Sequence, residues 1–321
     1  MIKEKICILG GSGFVGSHLA ALLTRAGYDV RIPTRRRERH RDLLVLPTVE
    51  VIETSISDSN ALRNVISGCD AVINLVAILN ESRHARFRRI HVELPRAVVD
   101  ACREMGVKRL LHMSALNADA TNGPSQYLRT KGEGEAIVHN SVLDVTSFRP
   151  SVIFGPGDHF FNRFAHLLKL SPGFMPLACA GARFAPVYVE DVAHAFLMAL
   201  RDHTTIGQRY DLCGPKTYTL LQLVEYTNKL LDTRRAVIGL GDGLSQLMAT
   251  ALSFAPGKPM TRDNYLSMKV DAVCRAHANT LPLDPLTPIE AVVPLYVGRK
   301  QQRALYDAHR SLAARNPENS H

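Results

Sequence analysis

The sequence contains no tryptophan, and aromatic residues make up only 6% of its 321 positions. Proteins that hold single-stranded nucleic acid stack bases on exposed rings, so no nucleic-acid partner is expected despite a formal net charge of +9. There is no CxxC pair and no HExxH helix, and the six cysteines, Cys7, Cys69, Cys102, Cys179, Cys213 and Cys274, are scattered. That pattern matches no zinc spacing and suggests no disulfide framework. The expectation is no metal site and a reducing compartment. Long hydrophobic runs are missing too: "DAVINLVAIL" and "LSQLMATALSFA" fall short of the roughly 20 residues that span a bilayer. The opening "MIKEKICILG" has neither the apolar core of a secretory leader nor the acid-poor, Arg-rich character of a transit peptide. A cytoplasmic location is therefore expected.

What is present is an ordinary globular composition, 46% hydrophobic and 21% charged, in a chain long enough for one large domain or a domain with an appended lobe. Much of the positive charge sits in "TRRRERHR" and "SRHARFRR". The first half alternates strand-like runs ("KICILG", "DVRIPT", "VEVIET", "DAVINLVA", "KRLLHMS") with helical patterns ("VGSHLAALLTRAG", "ALRNVISG", "LPRAVVDACREMG"). Apolar strands that alternate with helices imply a parallel sheet buried on both faces. The predicted fold is therefore α/β, a Rossmann-type doubly wound parallel sheet over residues 1–155. From Pro156 glycine and proline become frequent, and residues 156–321 read as a smaller C-terminal α/β lobe covering a substrate cleft. Its helical segments include "LLQLVEYTNKLL", "LSQLMATALSF" and a basic helix with Arg299, Lys300 and Arg303, before a frayed "NPENSH".

Gly10, Gly13 and Gly16 form GxxGxxG between the first strand and the first helix. A pyrophosphate needs this: a tight turn, bare backbone and the positive end of a helix. The second strand ends at Thr34 and runs into Arg35, Arg36 and Arg37, where an NAD binder usually carries an acid for the ribose hydroxyls. With no carboxylate expected nearby, guanidinium groups favour the 2′-phosphate of NADP(H). In "QYLRTKGEGE", Tyr127 and Lys131 lie at i and i+4 on one helix face. A lysine beside a phenol suits proton transfer during hydride chemistry.

GxxGxxG, Tyr127-x-x-x-Lys131, "RPSVIFGPGD" and "APVYVEDVAHA" together resemble the extended branch of the short-chain dehydrogenase/reductase superfamily, in the epimerase/dehydratase style. "HMSALNA", "YLRTKGEGE" and "MTRDNYLSMKVD" narrow the likeness to an atypical group. That group comprises the NADPH-binding accessory subunit of mitochondrial respiratory complex I, its bacterial homologues and a related protein of ubiquinone biosynthesis. The lack of a transit-like leader points to a bacterial member. The resemblance implies that Gly10, Gly13, Phe14, Val15 and Gly16 cradle the pyrophosphate and that Thr34, Arg35 and Arg36 hold the adenosine phosphate. It implies Ser55 and Ile56 at the adenine, and Leu75, Val76 and Ala77 after the fourth strand. Pro150, Ser151, Val152 and Ile153 would lie along the nicotinamide, and Tyr127 and Lys131 would form the catalytic pair with Ser114 as the hydroxyl donor. Two positions depart from active relatives: Ala115 competes with Ser114 for the hydroxyl position, and His91 stands where an asparagine is usual. The implied partners are a respiratory-complex or quinone-biosynthesis protein and the cytoplasmic face of the inner membrane. The small-molecule substrate is not named by the sequence. Two functions stay open, a nucleotide-holding subunit without turnover and an NADP-dependent oxidoreductase or sugar-nucleotide epimerase.

Overall fold

The computed structural model describes residues 3–82, 85–255, 258–283 and 285–298. Arg299, Lys300, Arg303 and the terminal "NPENSH" lie outside the described residues. In the first half, β1 (Lys5–Leu9), α1 (Phe14–Arg25), β2 (Asp29–Thr34), α2 (Arg41–Leu44), β3 (Val49–Glu53), α3 (Ser59–Ile66) and β4 (Ala71–Asn74) succeed one another. Then come α4 (Leu94–Glu104), β5 (Arg109–Met113), α5 (Gln126–His139) and β6 (Asp144–Pro150). The second half supplies β7 (Ile153–Phe154), α6 (Phe161–Leu170), β8 (Phe174–Leu177), β9 (Arg183–Phe184), β10 (Val187–Tyr188), α7 (Val189–Arg201) and β11 (Arg209–Leu212). It ends with β12 (Tyr218–Thr219), α8 (Leu220–Leu231), β13 (Ala236–Gly239), α9 (Asp242–Leu252), α10 (Arg262–Ser267) and α11 (Ile289–Val297).

Seven strands form one sheet in the order β11-β6-β5-β4-β1-β2-β3, parallel throughout. The pleat explains why β1 is a continuous apolar run. Ile6 and Ile8 join the core layer containing α1 and α7, whereas Cys7 and Leu9 join the layer of α3 and α4. Both faces are covered, so no position could be polar without a partner. Helix α1 stops where expected, with Gly27 at φ +92°, a left-handed conformation that costs glycine little.

The C-terminal lobe packs α6, α8 and α11 around Phe154, Phe161, Leu223 and Val293, and Tyr296 donates a 2.5 Å hydrogen bond to the buried Asp158 carboxylate. The chain crosses back over the boundary near 155, because α7 joins the same core as α1 and β11 extends the sheet beyond β6. The cysteine expectation is corrected. Cys213, directly after β11, is bonded to Cys274, 61 residues later. No local spacing marks such a pair; it exists because residues 271–279 run back past the end of β11, where Asp211 N donates to Asn279 O at 2.8 Å. Cys7, Cys69 and Cys102 are buried thiols. Among the described residues, no helix is long and apolar enough to cross a membrane.

Candidate functional site

The site begins where β1 meets α1. Gly10 takes φ +82°, and the turn closes through Gly11 N to Ile8 O (3.1 Å) and Gly13 N to Gly10 O (3.0 Å). A Cβ on Gly16 would stand 2.4 Å from the Gly10 carbonyl oxygen, so helix and turn touch backbone to backbone. Gly13 caps α1 without a side chain, and the first turn carries no acid. Its free amides and positive dipole end are left for an anion.

A cleft of about 1120 Å³ opens beside this turn. Of the residues singled out from the sequence, Gly10, Gly13, Thr34, Arg35, Arg36, Ser55, Ile56, Leu75, Val76 and Ala77 line it together. Phe14, Val15 and Gly16 shape the turn without lining the cleft. Arg39, His40 and Arg89 line it as well; they belong to the two basic stretches, and only the fold shows which of those side chains face inward. The expected lack of a nearby carboxylate is also corrected. Glu53, the register partner of Thr34, ends β3 and accepts the Arg37 amide at 2.9 Å. It pins the arginine loop, and the sequence hides it because it belongs to the neighbouring strand. Bare backbone, an open helix end and a row of cations suit a dinucleotide. Among the described residues, no His, Cys, Asp or Glu group could hold a metal ion.

On the outer side of α1, His18 is paired with Glu190 of α7 at 2.6 Å, and the Glu190 carboxylate raises the His18 pKa above its ordinary value. That contact locks the first helix against α7.

Tyr127 and Lys131 stand outside the lining of this cleft, on the far side of Ile78 and His91, and Tyr127 is half-buried. Tyr127 and Lys131 share one face of α5, and the Lys131 ammonium is buried and donates to Met113 O at 2.5 Å. Burial lowers the Lys131 pKa to about 8, with Glu135 acting in the opposite direction. The Tyr127 ring packs edge-on against His91 and Phe87, with centroids at 5.5 and 6.1 Å. Burial, and then the charge of Asp263, push its phenol up to about 12. An active tyrosine of this type needs the reverse shift. Asp263, in α10, accepts the amides of Gln126 (2.7 Å) and Tyr127 (3.1 Å) and so caps α5 from 136 residues away in the chain.

His91 sits in a single π-turn, Arg89–Glu93, a distortion frequent at functional sites. Its Nε2 accepts from Ile78 N (3.1 Å) and its Nδ1 lies 3.1 Å from Thr130 Oγ1. The Thr130 hydroxyl already gives its proton to backbone carbonyls of α5, so Nδ1 carries the imidazole proton. Burial first, and the nearby Lys131 charge second, lower its pKa to about 3. A Cβ on Gly134 would lie 1.9 Å from His91 O, which is why the "KGEGE" glycine is tolerated mid-helix. Ser114 is 3% exposed and its Oγ has no hydrogen-bond partner, while Ala115 beside it is also buried. Neither lines the open cleft. Pro150, Ser151, Val152 and Ile153 likewise stand outside its lining, and the Ser151 hydroxyl is given to Ala272 O at 2.6 Å.

The model of the NAD dependent epimerase/dehydratase family matches residues 6–213. NADH dehydrogenase [ubiquinone] 1 alpha subcomplex subunit 9 of Mus musculus is 33% identical over 225 residues, covering 68% of this chain and 59% of that protein. A ceramide reductase of Caulobacter vibrioides is 30% identical over 191 residues, 59% of this chain and 58% of that one. The chain thus spans about three fifths of the length of the curated relatives it matches. Among solved structures, epimerase Mth375 from Methanothermobacter thermautotrophicus superposes with a TM-score of 0.69 at 15% identity, over 96% of this chain and 95% of that one. MoeE5 in complex with UDP-glucose and NAD gives 0.66 at 17%, over 94% and 99%. These two likenesses show the fold.

Proposed function

The chain belongs to the NAD dependent epimerase/dehydratase family, and on that premise we propose that it is an NADP(H)-holding member that carries the nucleotide as a subunit or assembly factor rather than turning it over. The observation that carries this reading is the contrast between neighbouring regions, a cleft open and cationic at the glycine turn and, beside it, a Tyr127 phenol whose pKa is raised rather than lowered. Gly10 and Gly13 would receive the pyrophosphate. Arg35 and Arg36 would take the 2′-phosphate, and Ser55 and Ile56 would border the adenine. Lys131 has three donors, so it can keep Met113 O and still give a proton to a ribose hydroxyl. Bound NADPH would supply a hydride donor, but Tyr127 keeps its proton across the physiological range and Ala115 offers no second hydroxyl.

The relatives named as subunits of NADH dehydrogenase support a respiratory-complex or quinone-biosynthesis partner, with this chain working peripherally at an inner membrane. The test is mass spectrometry of small molecules released from the purified protein. Near one NADP(H) per chain with slow exchange is expected. An empty protein, NAD in place of NADP, or rapid exchange would overturn the reading.

A further inference from the structure

Residues 258–279 return from the lobe and run past the start of α5 and Tyr127, beside the cleft. Lys258 Nζ donates to Glu81 O (2.9 Å), Thr261 Oγ1 to Asn80 Oδ1 (3.2 Å) and Asn264 Nδ2 to Leu79 O (3.2 Å), all in the loop after β4. Asp263 takes the first two amides of α5, and Ser267 Oγ donates to Ser125 Oγ (2.8 Å). Asn117 Nδ2 donates to Asp271 O (2.8 Å) and Ser151 Oγ to Ala272 O (2.6 Å), in the loops after β5 and β6. One segment thus bridges the carboxyl ends of three successive strands, the edge where open α/β sheets hold their ligands. Its attachments to that edge are polar. Its apolar anchors face the lobe instead: Met260 and Tyr265 pack with Ala249 of α9, and Leu266 and Met268 pack on the same cluster, Met268 also reaching the core of α6, α8 and α11. Hydrogen bonds of this kind exchange with water at small net cost, so the segment can leave the edge without exposing a core.

Beyond Asp271 the backbone of Ala272 forms a hydrogen-bonded β-bridge with Phe184, and then the tether becomes covalent: Cys274 is bonded to Cys213 at the end of β11, and both cysteines are half-buried, open to a small reductant.

We propose that residues 258–279 form a cover over the Tyr127 region beside the cleft, with its seating set by the Cys213–Cys274 disulfide. Oxidised, the cover is held against the strand ends; reduced, it is released. In the exchange one thiolate of a dithiol attacks one cysteine sulfur and the other cysteine leaves as a thiolate; the dithiol's second thiol then attacks the first, and the remaining protein cysteine leaves from the mixed disulfide. Two electrons and two protons pass to Cys213 and Cys274, which end as thiols, and the dithiol ends as a cyclic disulfide. The cover's meaning for Tyr127 rests on the reading of this region as the reacting end of the nucleotide site.

The experiment is hydrogen exchange on the full chain, oxidised and after dithiothreitol, together with the Cys213→Ser/Cys274→Ser variant. The amides of Gln126, Tyr127, Ala185 and Ala272, all hydrogen-bonded across the cover's contacts, are expected to exchange about tenfold faster on reduction, as a locally opening unit does. Amides of β1, β4 and β5 should keep their rates. Unchanged rates at the four amides after full reduction overturn the proposal. So does a loss of protection in β1, β4 and β5 alongside them, which would make the disulfide a staple of the whole fold. Asp263→Asn, which leaves the disulfide intact, should speed exchange at Gln126 and Tyr127 in the oxidised chain, and no change there also counts against the cover. NADP(H) affinity is measured on the same samples. A chain that binds none in either state refutes the nucleotide reading, while the amide rates still decide the cover.

Discussion

The cleft at the glycine turn and the Tyr127 region beside it are built by opposite means. At the glycine turn the chain withdraws its side chains, leaves helix amides free and arranges exposed cations around an empty volume. At Tyr127 it fills the space with neutral buried imidazole, a lysine held by a carbonyl and a carboxylate brought from the lobe. The difference teaches that holding a nucleotide and reacting it are separable in this fold. The first needs absence and charge, the second needs access and a tuned acid, and the proposed function assigns only the first to this chain.

The strongest way to break the contrast is Gly16→Ala. Its Cβ meets the Gly10 carbonyl at 2.4 Å, so the turn must move, with an overpacking cost of about 1–3 kcal/mol seen as a lower Tm. Nucleotide affinity measured by calorimetry should fall by roughly 100-fold or more, since each 1.4 kcal/mol is a factor of ten. The Tyr127 region is attacked by acid. Because His91 is lowered to about 3 in the folded protein, the unfolded chain binds its proton first as pH drops below about 6.5. Stability is therefore expected to be flat in this respect above pH 6.5 and to fall steadily from there toward pH 3. A denaturant series should show that slope shrinking in His91→Phe; an unchanged slope would assign it to other groups.

How much of this is legible in the sequence depends on the range of the interaction. The glycine turn, the arginine loop and the strand-helix rhythm are local, and periodicity and spacing expose them. Tyr127 and Lys131 are found because a helix face is local too. Their environment is not: Asp263 reaches Tyr127 from 136 residues away, Cys274 meets Cys213 only through the crossing of a strand end, and Glu53 enters the loop through sheet register. His91 stands out as a departure from relatives, but its neutral, tautomer-fixed state arises from burial that no spacing encodes.

Smaller effects sharpen the comparison. Arg35→Ala should weaken NADPH by about tenfold or more, the worth of a charge-assisted hydrogen bond of roughly 1.5–3 kcal/mol, and leave NADH almost unaffected; equal losses in a titration would move the 2′-phosphate elsewhere. Smallest of all is Tyr127→Phe, expected to change NADPH affinity by less than about twofold and to complement growth in a strain lacking the gene. Lys131→Ala should speed nucleotide loss in the same dissociation assay. A Tyr127→Phe protein that keeps NADPH yet fails to complement would mean that the phenol works after all.

The seventh strand also sets a timetable for synthesis. Strand β6 ends at Pro150 and its outer partner β11 ends at Leu212, so on the ribosome the sheet waits with β6 as an unpaired edge while about 60 further residues are added, roughly 3–12 s at ordinary elongation rates. An exposed parallel edge is a template for pairing with another nascent chain. Residues 151–212 are thus the stretch in which a slow codon or a stalled ribosome should cost the cell most in aggregated product.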